Sequence, residues 1–95
     1  MANTRPNINL PAGQWVDVNA ALNTQVGFPS VILGTALNVK AESETIRLCE
    51  KGSEPTSSDG FRRLRIEDMP ASVTNDVGLW ALSIGSDGLI NVEVG

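Results

Sequence analysis

The chain has 95 residues, a formal net charge of −4, no histidine and a single cysteine. This length fits one small domain, and the acidic balance disfavours nucleic acid as a partner because phosphate backbones repel it. The lack of histidine excludes Ser-His-Asp and Cys-His catalysis and most zinc sites. No apolar run approaches the roughly 20 residues of a membrane span, so we expect no membrane partner either.

An extended N-terminal arm over residues 1–12 is the first predicted element, followed by a single β domain over residues 13–95. The arm is polar and contains two prolines, but its segment NINL alternates Ile8 and Leu10 with asparagines. A terminus of this kind is either a disordered tail or an extended strand that completes the sheet of a neighbouring subunit. The alternation favours the strand, which makes Ile8 and Leu10 candidate interface residues.

Six further segments show the apolar–polar alternation that is typical of half-buried strands. In chain order they are GQWVDVN (13–19), SVILGTALNVKAE (30–42), ETIRLCE (44–50), FRRLRIE (61–67), VGLWALSIG (77–85) and GLINVEV (88–94). The fifth is apolar on both faces, which predicts a central strand covered on both sides. The segment NAALNTQ (19–25) predicts at most one short helical turn, so the chain is expected to be almost entirely β.

Turn-forming residues separate these strands. Pro29 and Pro70 fall between strands, where a missing N–H costs no ladder hydrogen bond. The pair Asp87-Gly88 offers the positive φ angles of a tight hairpin, which predicts antiparallel pairing of the strands on either side of it. Because no crossover helix is predicted, we expect an all-β fold, a small antiparallel β-sandwich or jelly-roll-like barrel of six to eight strands.

The strand FRRLRIE follows a loop of turn-forming residues, GSEPTSSDG, that is typical of a connector. Strict alternation along the strand predicts Leu64 and Ile66 in the core. With no bulge, Phe61 then lies outside beside Arg63 and Arg65, and an exposed aromatic flanked by arginines is typical of a protein–protein interface. A bulge just before the strand would instead return Phe61 to the core, and the sequence leaves both arrangements open.

Candidate catalytic groups are few. Cys49 lies in mid-strand beside Glu50, and a neighbouring carboxylate raises the pKa of a thiol, so we interpret Cys49 as a small half-buried filler. Glu42 and Glu44 are two apart and are interpreted as solvated surface charge. We therefore expect that the protein is not an enzyme and has no catalytic residue, no cofactor and no bound metal.

One cluster favours a different role. Trp15 shares an extended face with Asp17 and Asn19, which places an aromatic platform beside polar groups that hydrogen-bond a sugar. The alternative function is therefore a receptor- or glycan-binding β-sandwich module.

Two parts of the chain carry a pattern, x-P-T-x-x-D-G-F followed by V-W-A-x-S-x-G and V-x-V, that resembles the small all-β virion proteins of tailed bacteriophages. The matching residues are Pro55, Thr56, Asp59, Gly60, Phe61, Leu79, Trp80, Ala81, Ser83 and Gly85, with Leu79 in the place of the pattern's valine. The likeness covers residues 13–95 and consists of strand and turn signals.

The resemblance implies a non-enzymatic virion structural protein that decorates or cements the capsid, or forms part of a neck, tail or fibre assembly. Its partners would be further copies of itself, as a homo-oligomer, and a major capsid, tail or neck protein. Many weak contacts on a lattice gain effective concentration, so no single interface needs to be large. The lone cysteine fits folding in the reducing cytoplasm of a bacterial host before incorporation into the virion.

Overall fold

The computed structural model of the chain describes residues 5–56 and 59–94. In these residues, eight strands and one short helix form two four-stranded antiparallel sheets packed together. The strands are β1 (Ile8–Leu10), β2 (Val16–Asp17), β3 (Leu37–Ser43), β4 (Ile46–Cys49), β5 (Arg62–Leu64), β6 (Ala71–Val73), β7 (Trp80–Ser83) and β8 (Gly88–Val94), and the helix α1 is Val18–Asn23. The strand order is β1-β8-β3-β6 in the first sheet and β2-β7-β4-β5 in the second. The predicted class, a small all-β sandwich, is confirmed.

The core lies between the two sheets and is built from alternate residues of their strands. On the long strands β3 and β8, Leu37, Val39, Ile90 and Val92 are each 0% exposed. The second sheet faces them with Ile46, Leu48, Leu64 and Ala81, all buried. Burying one such aliphatic side chain contributes roughly 1.5–3 kcal/mol. Because each buried side chain contributes this free energy, the face of each strand that carries the alternate apolar residues points into the core.

The predicted hairpin between the last two strands is wrong, because β7 and β8 belong to different sheets. β8 pairs along its length with β3, and β7 pairs with β2 and β4. Asp87 accepts a hydrogen bond from Ala12 N at 2.9 Å instead of closing a tight turn. Gly88 packs so closely that a Cβ there would lie 2.6 Å from Ser83 Oγ. The segment is thus a crossing between the two sheets, and β8 pairs with β3 over most of its length, with one irregularity between Ala41 and Ser43.

The strand predicted over residues 61–67 is shorter than expected. β5 ends at Leu64, which is 3% exposed, whereas Ile66 is 48% exposed, so the prediction of Ile66 in the core is wrong. Asp68 ends the strand, because its carboxylate accepts Arg65 N at 2.8 Å while Asp68 N donates to Arg65 O at 3.1 Å. An aspartate bonded to a backbone N–H three residues earlier makes a turn that competes with the strand ladder.

The segment between β2 and β3 departs most from the predicted strands. α1 forms where one short turn was predicted, and its N-cap is Asp17, whose carboxylate accepts Ala20 N at 3.1 Å. Residues 24–36 form turns and irregular backbone rather than a strand. Leu33 is accordingly 57% exposed, and the regular alternation begins only at Leu37.

The predicted N-terminal arm folds onto its own chain from Arg5 onward. β1 pairs antiparallel with β8, with Ile8 opposite Ile90 and Leu10 opposite Gly88. Ile8 is 6% exposed and Leu10 is 0% exposed, so the structure corrects their expected role at an interface. The physical reason is that β8 offers a free edge within the same chain. Residues 1–4 of the predicted arm lie outside the described residues.

Candidate functional site: an arginine-rich face of the second sheet

The outward side of the second sheet gathers three arginine side chains. Arg47 on β4 lies opposite Arg63 on β5 and opposite Leu82 on β7. Arg65 follows β5 on the same side as Arg63, and both line one surface depression. We call the surface made by Arg47, Phe61, Arg63, Arg65 and Leu82 the arginine face.

The pairing of Arg47 with Arg63 is electrostatically unfavourable. Like charges directly opposite each other on neighbouring antiparallel strands destabilise the pair. In the described part of the chain the only ion pair joins Lys51 to Asp59, so no carboxylate forms an ion pair with either guanidinium group. Arg47 Nε is buried and has no hydrogen-bond partner among these residues. The exposed side chains of Arg63 and Arg65 therefore offer positive charge to an external anion, whereas Arg47 is partly buried against Phe61.

Phe61 lies outside the core, which decides between the two arrangements that the sequence left open. Its side chain is 43% exposed, and the guanidinium carbon of Arg47 lies 4.3 Å from the centroid of its ring. A cation over an aromatic face at this distance is attracted by the ring quadrupole. Phe61 thus holds Arg47 in place and presents its other surface to solvent, as a protein-binding aromatic does.

The loop before Phe61 is held by Asp59. Its carboxylate accepts Thr56 N at 2.7 Å and pairs with Lys51 Nζ at 2.7 Å, and Asp59 N donates to Thr56 O at 3.1 Å. Trp80 ties the same loop to the sheet, because its indole N–H donates to Lys51 O at 3.1 Å. Asp59, Thr56 and Trp80 thus hold the loop that leads into Phe61.

The hydrogen bond from Lys51, followed by the bond from Thr56 N, lowers the pKa of Asp59. A carboxyl whose folded pKa is lowered stabilises the fold above its unfolded pKa, and this contribution is lost as the pH falls through the folded pKa. We therefore expect the stability of the wild-type chain to fall more steeply than that of Asp59→Asn as the pH drops below the ordinary aspartate pKa of about 3.9. Urea unfolding across this range measures the difference.

Asp76→Asn is the matched control for that titration. It removes the same charge from an exposed carboxylate that makes no hydrogen bond or ion pair in the described residues. We expect its acid profile to follow the wild type. An Asp59→Asn profile that overlays both would show that the ion pair with Lys51 contributes nothing.

A shallow depression of about 340 Å³ opens beside the arginine face. Its lining residues are Glu44, Thr45, Arg63, Arg65 and Ile84. Two guanidinium groups offer paired N–H donors that match a carboxylate in a bidentate geometry, and Ile84 supplies an apolar wall. The depression thus fits a side chain that combines a short apolar stem with a carboxylate.

The outward side of the first sheet, by contrast, satisfies its own polar groups. Ser72 Oγ donates to Asn38 Oδ1 at 2.7 Å, and Asn91 Nδ2 donates to Asn7 Oδ1 at 2.9 Å. Lys40 Nζ donates to Ile66 O at 2.9 Å. This self-bonded surface has less capacity for a partner than the arginine face.

Two of the three residues predicted for glycan binding make hydrogen bonds within the fold. Asp17 caps α1. Asn19 and the fully buried Asn75 exchange two side-chain hydrogen bonds, both of 2.8 Å. Trp15 is half-buried and α1 begins at Val18, so the extended face expected to unite the trio does not continue to Asn19.

Cys49 is buried on β4, next to Trp80 on β7. Burial first, and the charge of Asp59 second, raises the pKa of this thiol, so little of it is the reactive thiolate at neutral pH. Among the described residues, no cluster of three or more acidic or cysteine side chains could hold a metal ion. No helix in the described part of the chain is long and apolar enough to cross a membrane.

Sequence reasoning predicted Phe61, Arg63 and Arg65 on one face but missed Arg47 and Leu82. The alternation of ETIRLCE already placed Arg47 on the polar side of its strand. The missing information was the register, which pairs Arg47 with Arg63 and Leu82. Register depends on partners distant in sequence, so no local signal identified it.

Searches against protein-family models, curated proteins and solved structures give no match to this chain. The likeness to phage virion proteins therefore stays a prediction from the sequence pattern, and the case for function depends on the arginine face.

Proposed function

We propose that this protein is a non-enzymatic virion structural protein of a tailed bacteriophage, which binds a capsid, neck, tail or fibre protein through the arginine face. The observation that carries the proposal is the cluster of three guanidinium groups, none of them in an ion pair with any described residue, set beside the exposed Phe61. Arginine and aromatic side chains are the residues most enriched at binding hot spots. A structural protein performs its task by such contacts and needs no reactive group.

The way Phe61 is held supports a binding role. Lys51, Asp59 and Trp80 fix the loop before it, and Arg47 packs on its ring. A contact residue that is already ordered loses less conformational entropy when a partner binds. The pattern residues shared with virion proteins thus act on the geometry of the binding face rather than on a chemical step.

The size of the arginine face favours multivalent use. β5 contains only three residues, so the face is small and each copy would bind weakly. Many copies on a particle, together with contacts between copies, raise the effective concentration and compensate for a small interface. The proposal therefore includes self-association on the particle as well as binding to the shell or tail protein.

Co-sedimentation with particles that lack this protein tests the proposal. Wild-type chain is expected to pellet with the particles in a saturable manner, and Arg63→Glu is expected to reduce the bound fraction at least about tenfold, because it replaces an attractive charge at the interface with a repulsive one. Phe61→Ala should weaken binding in the same direction.

Arg62→Glu is the matched control for the charge reversal. Arg62 is exposed on the same strand but lies opposite the buried Leu48, on the other side of the sheet from Arg63. It carries the same charge change and should leave the pelleted fraction within about twofold of wild type. Wild-type protein that remains in the supernatant at every concentration, or equal losses from both reversals, would contradict the proposal.

A further inference from the structure

We infer that the partner segment on the arginine face is an extended acidic stretch of a protein, which lies beside β5 and places carboxylates at alternate positions against Arg63 and Arg65. The inference rests on the proposed function in that it names the chemistry of the partner. Three features support it: the charge of the arginine face, the open edge of β5 and the shape of the depression.

Charge comes first. The chain has 11 acidic and 7 basic residues, yet three of the basic residues, Arg47, Arg63 and Arg65, gather on the arginine face. None of these three is in an ion pair in the described part of the chain, although acidic residues outnumber basic ones. The Arg47–Arg63 pair in addition costs stability. An anion at this face would relieve that repulsion, so the face is complementary to negative charge.

The open edge of β5 indicates an extended partner segment. β5 is the last strand of its sheet, with β4 on one side and no strand of the described chain on the other. An open edge accepts an extended segment through backbone hydrogen bonds. In such a segment every second side chain points to one face, about 6.5–7 Å apart. Arg63 lies on β5 and Arg65 just beyond its end, and both line the same depression, so carboxylates at alternate positions of the segment can meet them.

The depression beside the arginine face fits carboxylate side chains. It places Arg63 and Arg65 around a volume of about 340 Å³ with Ile84 and Thr45 at its wall. Glu44 also lines it, so two positive charges and one negative charge meet there. That balance suits single carboxylates better than a polyphosphate, whose dense charge Glu44 and the chain's net charge of −4 would oppose. The apolar wall suits the stem of a glutamate.

Synthetic peptides test the inference directly. The probe is a dye-labelled octapeptide that alternates glutamate and threonine. One comparison peptide has the same composition with four glutamates in a block, and another has lysine in place of glutamate. Fluorescence anisotropy at about 50 mM salt, where surface charges are weakly screened, is expected to show the alternating peptide binding at least about fivefold more tightly than the block peptide. The lysine peptide should not bind.

Variants of the protein locate the contact. Arg63→Gln with Arg65→Gln is expected to weaken binding of the alternating peptide at least about tenfold. Lys40→Gln removes one positive charge from the other sheet and should change the affinity less than about twofold, whereas Arg63→Gln alone should weaken it at least about threefold. The side chains of Arg63, Arg65 and Lys40 are at least partly exposed, so these variants are expected to fold.

Several results would overturn the inference. Equal affinity for the alternating and block peptides would remove the extended pairing, and failure of every acidic peptide to bind would remove the acidic segment. A single-stranded oligonucleotide that binds more tightly than the alternating peptide, with the same sensitivity to Arg63 and Arg65, would make nucleic acid the ligand. Self-association that is lost in the same double variant would make a second copy the occupant.

The two failures are distinguishable. Particles that retain wild-type protein but lose the Arg63→Gln, Arg65→Gln variant, combined with no peptide binding, would support the proposed function and reject the acidic extended segment. Peptide binding without particle binding would support the acidic segment and reject the virion role.

Discussion

Replacement of Arg5 by methionine is expected to lower the free energy of unfolding by about 3 kcal/mol. Arg5 is 3% exposed, and its guanidinium group donates to Pro29 O at 2.7 Å and to Leu22 O at 3.3 Å. The guanidinium carbon also lies 5.0 Å from the ring centroid of Phe28. Arg5 therefore fastens the N-terminal segment to the end of α1 and to the loop that follows it.

The sign of the change in unfolding free energy for Arg5→Met depends on two opposing contributions. Burying a guanidinium group without a carboxylate partner is expensive, so an apolar replacement recovers some desolvation free energy. Against this gain stand the hydrogen bonds that the charged guanidinium donates to Pro29 O and Leu22 O, since hydrogen bonds to a charged group are worth about 1.5–3 kcal/mol. The packing of Arg5 against Phe28 is lost as well. We expect the loss to exceed the gain.

Urea denaturation followed by tryptophan fluorescence measures the change. Arg62→Met is the control, because Arg62 is exposed and makes no side-chain hydrogen bond in the described residues; it should lie within about 0.5 kcal/mol of wild type. Arg5→Lys keeps the charge but presents fewer donors, and we expect an intermediate loss. A stability of Arg5→Met equal to that of Arg62→Met would show that the buried guanidinium is not a structural anchor.

Replacement of Gly78 by alanine is expected to destabilise the fold by about 4 kcal/mol. The φ of Gly78 is +119°, a conformation that side chains with a Cβ rarely adopt, and a Cβ there would lie 2.8 Å from Lys51 O. The neighbouring atom belongs to the backbone, so it cannot swing away as a flexible side chain would. The same carbonyl accepts the indole N–H of Trp80 at 3.1 Å.

The consequence of this change should extend to the arginine face. Lys51 also pairs with Asp59, which holds the loop that leads into Phe61. Displacement of Lys51 is thus expected to expose Trp80, seen as a red shift of its fluorescence, and to weaken partner binding together with stability.

Gly27→Ala separates backbone strain from steric overlap. Gly27 also has a positive φ, +88°, but a Cβ there meets nothing within 4 Å. It should cost only about 1 kcal/mol, the strain of the left-handed region for a residue with a Cβ. Chemical denaturation of the two variants side by side gives the difference, and equal losses would show that the contact with Lys51 relaxes without cost.

The alternating segments of this chain were predictable because their signal is local. The residues 88–94 place Ile90 and Val92 inward, and burial of those side chains is the largest free energy that the segment gains. The segment NINL was likewise recognised as a strand. The strand with which NINL pairs was not predicted. An open sheet edge in the same chain and one in a neighbouring subunit give the same signal in the sequence.

The candidate site was predictable only in part. Alternation placed Arg63 and Arg65 together, and both line the depression. The position of Phe61 stayed open because one bulge reverses every side chain beyond it. Arg47 entered the site through the register between β4 and β5, and through its contact with the ring of Phe61.

The sequence by itself determined that this protein is an all-β domain, because the period-two placement of apolar residues is written into each strand and needs no partner to be recognised. Only the tertiary structure decided that Asp87-Gly88 crosses between sheets and that β1 pairs with β8. It also decided that Arg47 meets Arg63. These three features depend on which distant strands bury the most surface together, and that competition is settled by the whole chain rather than by any one segment.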